Sequence, residues 1–129
     1  MVYFGIIKLK KLKEHEQVSP EHLMRLKRRI IKDGFLKNPI IVDKNTKIIL
    51  DGHHRYQSLK ELGCSKIMVY FIDYNSPEIK VKARRKGGII RKEDVIKAGL
   101  TENKLPPKTS RHVVPNKQLN LRIPLKDFR

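Results

Sequence analysis

Two short stretches concentrate the side chains that could do chemistry. "IILDGHHRYQSLKELG", residues 48–63, carries Asp51, Gly52, His53, His54 and Arg55 in a row. "PPKTSRHVVP", residues 106–115, carries Lys108, Thr109, Ser110, Arg111 and His112 in a row. In the first, an apolar strand-like run ends in an acid and a glycine, and a helical pattern then begins. A helix start offers unpaired main-chain N–H groups and the positive end of a dipole. Glycine lets a ligand approach the backbone closely. Cations in a first helical turn are unfavourable for the helix itself, and such a broken local rule points to function. The chemistry that fits is a phosphate seat of main-chain N–H groups, a bidentate arginine and imidazole donors. The alternative is structural: one histidine packed under the sheet, and Arg55 paired with Asp51 or Glu61. A joint metal site for the two histidines is disfavoured, because adjacent positions do not share a helix face.

The second stretch, stiffened by prolines, reads as a loop and a second anion cradle. Two donor-rich loops suit a ligand with several phosphates, such as a nucleotide. A third feature is "EHEQ", which places Glu16 after the first strand. A lone glutamate among lysines is commonly a solvated acid. Its functional reading is a general base for a hydroxyl, since phosphoryl transfer asks for positioned cations and one residue that orients or deprotonates the acceptor.

The elements that must position these groups can be read in order. Residues 2–9 form a strand of β-formers, and "KKLKEHEQ" a polar connection. Ser19 caps a helix over residues 20–33, with Pro20 at its first position and Gly34 as its stop. "PIIVD" and "KIILD" form a hairpin about Asn45 and Thr46. A helix runs from about His53 to Gly63, and "SKIMVYFID" is a buried strand. Residues 78–85 alternate as a half-exposed strand, "RKEDVIKAGL" is a short helix, and residues 119–125 alternate as a final strand. Mixed short elements in 129 residues give an α+β class, with residues 1–129 as one domain around one mixed sheet.

Thirty Lys and Arg against thirteen Asp and Glu give a formal charge of +17. Such a chain seeks anions: nucleic acid, acidic membrane or phosphorylated small molecules. Cys64 is the only cysteine, which excludes an internal disulfide and a cysteine-rich zinc site; it reads as a buried apolar residue. No stretch approaches the ~18 apolar residues of a membrane span, and no signal-peptide core stands at the start. The expectation is a cytoplasmic protein with no membrane partner. The composition leans toward a thermophile.

The order "KEHEQ", helix with Gly34, "NPIIVD", "IILDGHHRYQSLKELG", then a strand resembles the ParB/sulfiredoxin-like fold over about residues 5–74. The later "PKTSRH", residues 107–112, brings it closest to archaeal free L-serine kinases, which carry a DGHHR loop and a late PKT-T/S-RH segment. Only residues 75–105 separate the matching parts, so the resemblance is to a short form lacking an extra region. It implies transfer of a phosphoryl group from ADP or ATP to free L-serine, with Mg²⁺ as helper. By position, Glu16 resembles the glutamate that activates the serine hydroxyl. Asp51, Gly52, His53, His54 and Arg55 resemble the phosphate-binding loop. Lys108, Thr109, Ser110, Arg111 and His112 resemble the second phosphate-contacting segment. Asp51 is the candidate metal ligand.

Sulfiredoxin chemistry is disfavoured, since His53 stands where those enzymes place cysteine. A site-specific partition protein is also disfavoured, because only one short helix candidate follows Tyr74. The alternatives are nonspecific DNA binding or nuclease activity, and a nucleotide-sensing module without turnover. The edge strand near residue 80 offers a surface for homodimer pairing.

Overall fold

The computed structural model describes residues 3–101, 103–115 and 121–129. β1 (Tyr3–Lys8) is followed by a 3₁₀ turn, then α1 (Pro20–Asp33), β2 (Phe35–Lys37), β3 (Ile40–Asp43), β4 (Ile49–Asp51), α2 (His53–Glu61) and β5 (Lys66–Ile72). β6 (Lys80–Ala83), α3 (Lys92–Thr101), β7 (Ser110–Val113), β8 (Arg122–Pro124) and a closing 3₁₀ turn complete the order.

The main sheet runs β1-β5-β3-β4, and β2-β8 and β6-β7 form two small ribbons. β3 and β5 are parallel, while β1-β5 and β3-β4 are antiparallel. The sheet is therefore mixed, as expected. Its strands are apolar on both faces, and side-chain alternation sorts them into two cores. Ile40, Val42, Ile49, Ile67 and Val69 face α1 and α2 in one core. Ile41, Ile48, Leu50, Tyr70 and Ile72 face α3, Tyr74 and Ile79 in the other. Cys64 is buried in the first core, as its reading anticipated. No helix among the described residues is long and apolar enough to cross a membrane.

α1 begins where Ser19 and Pro20 place it, and Gly34 ends it with φ of 74°. Three expectations are corrected. Residues 110–113 are not loop: they form β7, which pairs antiparallel with β6. The prolines at 106, 107 and 115 bracket the strand rather than occupying it, so no ladder N–H is lost. That pairing also covers one edge of the strand near residue 80 that was offered to a second copy. The final strand is shorter than residues 119–125: β8 spans Arg122–Pro124, Leu125 opens the closing 3₁₀ turn, and residues 119 and 120 lie outside the described residues, as does Val2 at the first strand.

The polar connection is the third correction, because it threads the interior. Lys13 bridges Ile48 and Glu16 bridges Leu105, both in parallel sense. The Leu105 N–H donates to the His15 carbonyl, and the Gln17 N–H donates to the Leu105 carbonyl. Residues 13–17 thus lie between the end of the main sheet and the approach to β7. This brings three stretches far apart in sequence to one place.

Candidate active site

Gly52 follows β4 and caps α2 with φ of 107°. A Cβ there would stand 2.3 Å from Ile40 Cγ2, so both backbone conformation and space demand glycine. The first N–H groups of α2 have no partner within the helix. The residues of this helix start line a pocket of about 270 Å³ whose wall also includes Glu16, Asp51, Arg84 and Lys108.

The cations in the first turn of α2 prove less anomalous than the sequence suggests. His53 is buried, and its Nε2 accepts from the His15 main-chain N–H at 3.2 Å. Burial, with His15 and His112 nearby, holds its pKa well below 6.5. His54 Nε2 accepts from the Ser19 N–H at 2.9 Å, and its ring stacks on His22 with centroids 4.1 Å apart. Burial and then His22, Lys108 and Arg84 lower it to about 4. Both rings are therefore neutral, and each uses Nε2 as an acceptor rather than as the phosphate donor expected.

Arg55 is also committed to the protein. Its Nη1 donates to the carbonyls of Asn38 and Pro39, each at 3.0 Å, and its Nη2 to Asp51 Oδ2 at 3.3 Å. It ties the start of α2 to the turn before β3, with Asp51 balancing its charge. The structural alternative of an Asp51 pair is the one observed, while Glu61 pairs with Lys27 at 2.8 Å.

Residues 108–110 hold an anion, and that anion belongs to the protein. Lys108 has φ of 57°, the left-handed region. This conformation turns three successive N–H groups toward one point, the geometry of an anion nest. There lies the Glu16 carboxylate. Oε2 accepts from the Lys108 N–H at 3.1 Å. Oε1 accepts from the Thr109 N–H at 3.2 Å and from the Ser110 N–H at 3.0 Å, with Ser110 Oγ at 2.9 Å. Glu16 is 7% exposed, so it is no solvated acid. Thr109 Oγ donates to the Pro106 carbonyl at 2.6 Å and bends the turn.

β7 then alternates. Ser110 and His112 face inward, while Arg111 is exposed and faces away. His112 Nε2 meets the Tyr74 hydroxyl at 2.8 Å. Burial, then His15, lowers His112 to about 3, and burial raises Tyr74, so the phenol donates to a neutral ring. Of the two predicted loops, the structure brings Asp51–Arg55, Lys108 and Ser110 to the pocket with Glu16, and leaves Thr109, Arg111 and His112 out of its wall.

Sequence reasoning missed Arg84 and His22. Arg84 Nε donates to the Ser110 carbonyl at 2.7 Å, and Arg84 joins Lys108 at the pocket wall. The only signal for it was a basic run in a half-exposed strand. His22 sits in the first turn of α1, where no motif marks it.

Comparison with known proteins places the chain among relatives of two kinds. No protein-family model matches the chain. A ParB-like protein of Sulfolobus acidocaldarius is 44% identical over 73 residues, 57% of this chain and 36% of its own. An ATP-dependent L-serine kinase of Staphylothermus marinus is 36% identical over 81 residues, 60% of this chain and 32% of its own. An ADP-dependent L-serine kinase of Thermococcus kodakarensis is 31% identical over 84 residues, 62% of this chain and 35% of its own. The matched stretch is thus about a third of each relative. Among solved structures, a free serine kinase in complex with AMP superposes with a TM-score of 0.86 at 17% identity, over 98% of this chain and 93% of that one. The chain has the free serine kinase fold. A variant of that kinase with one glutamate replaced by alanine, in complex with ADP, superposes equally well at 16% identity, over 98% of this chain and 94% of that one. In this chain that fold carries a pocket lined by the buried Glu16, by Arg84 and Lys108, and by the first residues of α2.

Proposed function

We propose that the protein transfers a phosphoryl group from ADP or ATP to the hydroxyl of free L-serine, giving O-phosphoserine. One observation carries the reading: the Glu16 carboxylate is fixed by four donors at the wall of a pocket whose other charged groups include Lys108, Arg84 and Arg55. An acid so placed is positioned to take a proton from a bound hydroxyl while cations and helix N–H groups bear the phosphates. Oε2, with one donor against three on Oε1, keeps the free acceptor capacity for that proton. Lys108 and Arg84 bear the phosphate charge; Asp51 and Arg55 shape the seat. The named activities of the relatives support ADP or ATP as donor and serine as acceptor.

Mg²⁺ fits the same site. Asp51 lies at the pocket wall, and among the described residues its Oδ1 has no hydrogen-bond partner. Mg²⁺ bound with nucleotide phosphates needs only one or two carboxylates, and no cluster of three or more ligand side chains forms among the described residues. Asp51 would hold the ion, which would neutralise phosphate charge. The reaction places the protein in the cytoplasm, where nucleotide and free serine meet.

A second reading, polyanion binding, draws support from the exposed Arg25, Arg28, Arg29 and Lys32 of α1 and from the ParB-like relative. One experiment separates the two. Purified protein is incubated with Mg²⁺, L-serine and either ADP or ATP, and O-phosphoserine and the matching AMP or ADP are measured. The kinase reading expects product with one donor and a loss of about 10²–10⁴-fold in Glu16→Gln, with nucleotide still bound. Equal rates in wild type and variant would overturn the role of Glu16. No product, with salt-sensitive DNA binding, would favour the second reading.

A further inference from the structure

Behind Glu16, the Ser110 hydroxyl that helps fix it continues into a buried chain of polar atoms whose far end, His15, the reaction above leaves unused. His15 Nδ1 stands 2.6 Å from the Ile49 carbonyl oxygen. That oxygen only accepts, so Nδ1 carries a proton. His15 Nε2 stands 3.0 Å from Ser110 Oγ, and Ser110 Oγ stands 2.9 Å from Glu16 Oε1. His15 is 0% exposed and Ser110 5%, which keeps solvent from mediating either contact.

A proton count shows what this chain requires. Its two contacts need two protons, and the Ser110 hydroxyl supplies one. Without a second, one contact would set two lone pairs against each other at about 3 Å in a buried site, leaving a desolvated polar atom unpaired. The second proton must sit at one end, on Glu16 Oε1 or on His15 Nε2. The two forms interconvert without net gain or loss: the Oε1 proton moves to Ser110 Oγ as the Ser110 proton moves to His15 Nε2. One form is a carboxylic acid beside a neutral imidazole. The other is a carboxylate beside an imidazolium, with Oε1 and Nε2 4.0 Å apart.

We propose that His15 and Glu16 share one proton across Ser110, and that the form with the proton on His15 is the one able to act as base. His15 is then a positioning residue that keeps Glu16 ionised, and Ser110 is the connector. In the transfer step the acceptor O–H bond breaks and its proton goes to Glu16 Oε2. The electron pair left on the acceptor oxygen forms the new O–P bond. The bond from phosphorus to the nucleotide breaks with its pair on the departing phosphate oxygen. This step rests on the phosphoryl-transfer reading, whereas the shared proton does not. The other groups facing the His15 ring are His53 at 4.5 Å and His112 at 5.8 Å between centroids, both held neutral by burial. Among the described residues, Glu16 is therefore the one charged partner at the ring. Burial lowers the pKa of His15 itself, while the Ile49 carbonyl and Glu16 act the other way.

The test is ¹⁵N NMR of histidine-labelled protein. In wild type at neutral pH, His15 should show imidazolium character at Nε2, and in Glu16→Gln it should become a neutral ring with Nδ1 protonated. Ser110→Ala should cut the link and move the His15 titration. A second arm measures O-phosphoserine formation. Ser110→Ala and His15→Asn, which keeps a donor for the Ile49 carbonyl, should lower kcat about 10- to 100-fold, leave the nucleotide KM unchanged, and shift the pH profile. A neutral His15 in wild type, unchanged in both Glu16→Gln and Ser110→Ala, would overturn the shared proton. A shared proton in a protein that makes no phosphoserine would sink the kinase reading and leave the proton seat standing.

Discussion

The start of α2 and residues 108–110 look alike in sequence, and they do opposite things. Each carries a run of cationic and donor side chains. At α2 the side chains are spent on the protein: His53 and His54 accept main-chain N–H groups, and Arg55 clamps two carbonyls and Asp51. The helix N–H groups and the Nδ1–H of His54 are what remain for a ligand. At residues 108–110 the main chain is spent on Glu16, and the Lys108 side chain is what remains at the pocket. On the proposed reading, one segment seats a foreign anion with its backbone. The other uses its backbone to fix the protein's own anion beside that seat. Donor-rich composition therefore says that an anion is held, and not whose it is.

Acid should have the largest effect, on His54 in the first region and on His112 two residues beyond the second. His54 and His112 titrate at about 4 and about 3 in the fold, against 6.5 for a free ring. Below that value the unfolded chain binds more protons than the folded one, so stability is full above about pH 6.5 and falls as pH drops toward 4. A ring as deeply buried as His112 costs about 1.4 kcal/mol per pH unit over that window, and the half-buried His54 less, because solvent screens it. Thermal denaturation between pH 7 and 4.5 should show a steep fall in Tm, and a flat profile would mean that these rings can charge in place.

Gly52→Ala should be the next largest. The left-handed φ and the contact with Ile40 together cost roughly 2–5 kcal/mol. Denaturant unfolding should show that loss, together with weaker nucleotide binding, because the N–H groups of α2 would be displaced. Alanine at Gly34, where a Cβ meets nothing within 4 Å, should cost less.

Side-chain truncations sharpen the contrast at smaller scale. Lys108→Ala and Arg84→Ala should each weaken ADP binding about 10- to 100-fold, as expected for one charged hydrogen bond of roughly 1.5–3 kcal/mol. Arg111→Ala, one position from the pocket wall but facing away, should change affinity by less than about 0.5 kcal/mol. Calorimetric titration of the three variants checks the order, and an Arg111 effect equal to that of Lys108 would contradict the alternation of β7.

Much of this was legible in the sequence. Ser19-Pro20 and Gly34 bounded α1, Gly52 marked the helix start, and apolar runs gave β3 and β5, because each signal is local. The burial of His15 and Glu16 was not legible. Their segment is polar, and only its pairing with Leu105, 89 positions on from Glu16, removes it from solvent. β7 was hidden because flanking prolines imitate a loop, while its partner β6 lies 27 or more residues earlier. Arg84 was hidden for the same reason, since its role depends on the Ser110 carbonyl across that ribbon. Local chemistry writes helix ends plainly, whereas a site assembled by long-range pairing appears only as a list of candidate residues.

The most direct measurement is a titration of ¹⁵N-labelled protein with Mg²⁺ and ADP, following the main-chain amides of the two regions. The account predicts that the amides of His53, His54 and Arg55 shift most on binding, while those of Lys108, Thr109 and Ser110 stay close to their free positions because Glu16 already holds them. Large shifts at residues 108–110 with silent amides at 53–55 would show that the nest, and not the helix start, seats the phosphate.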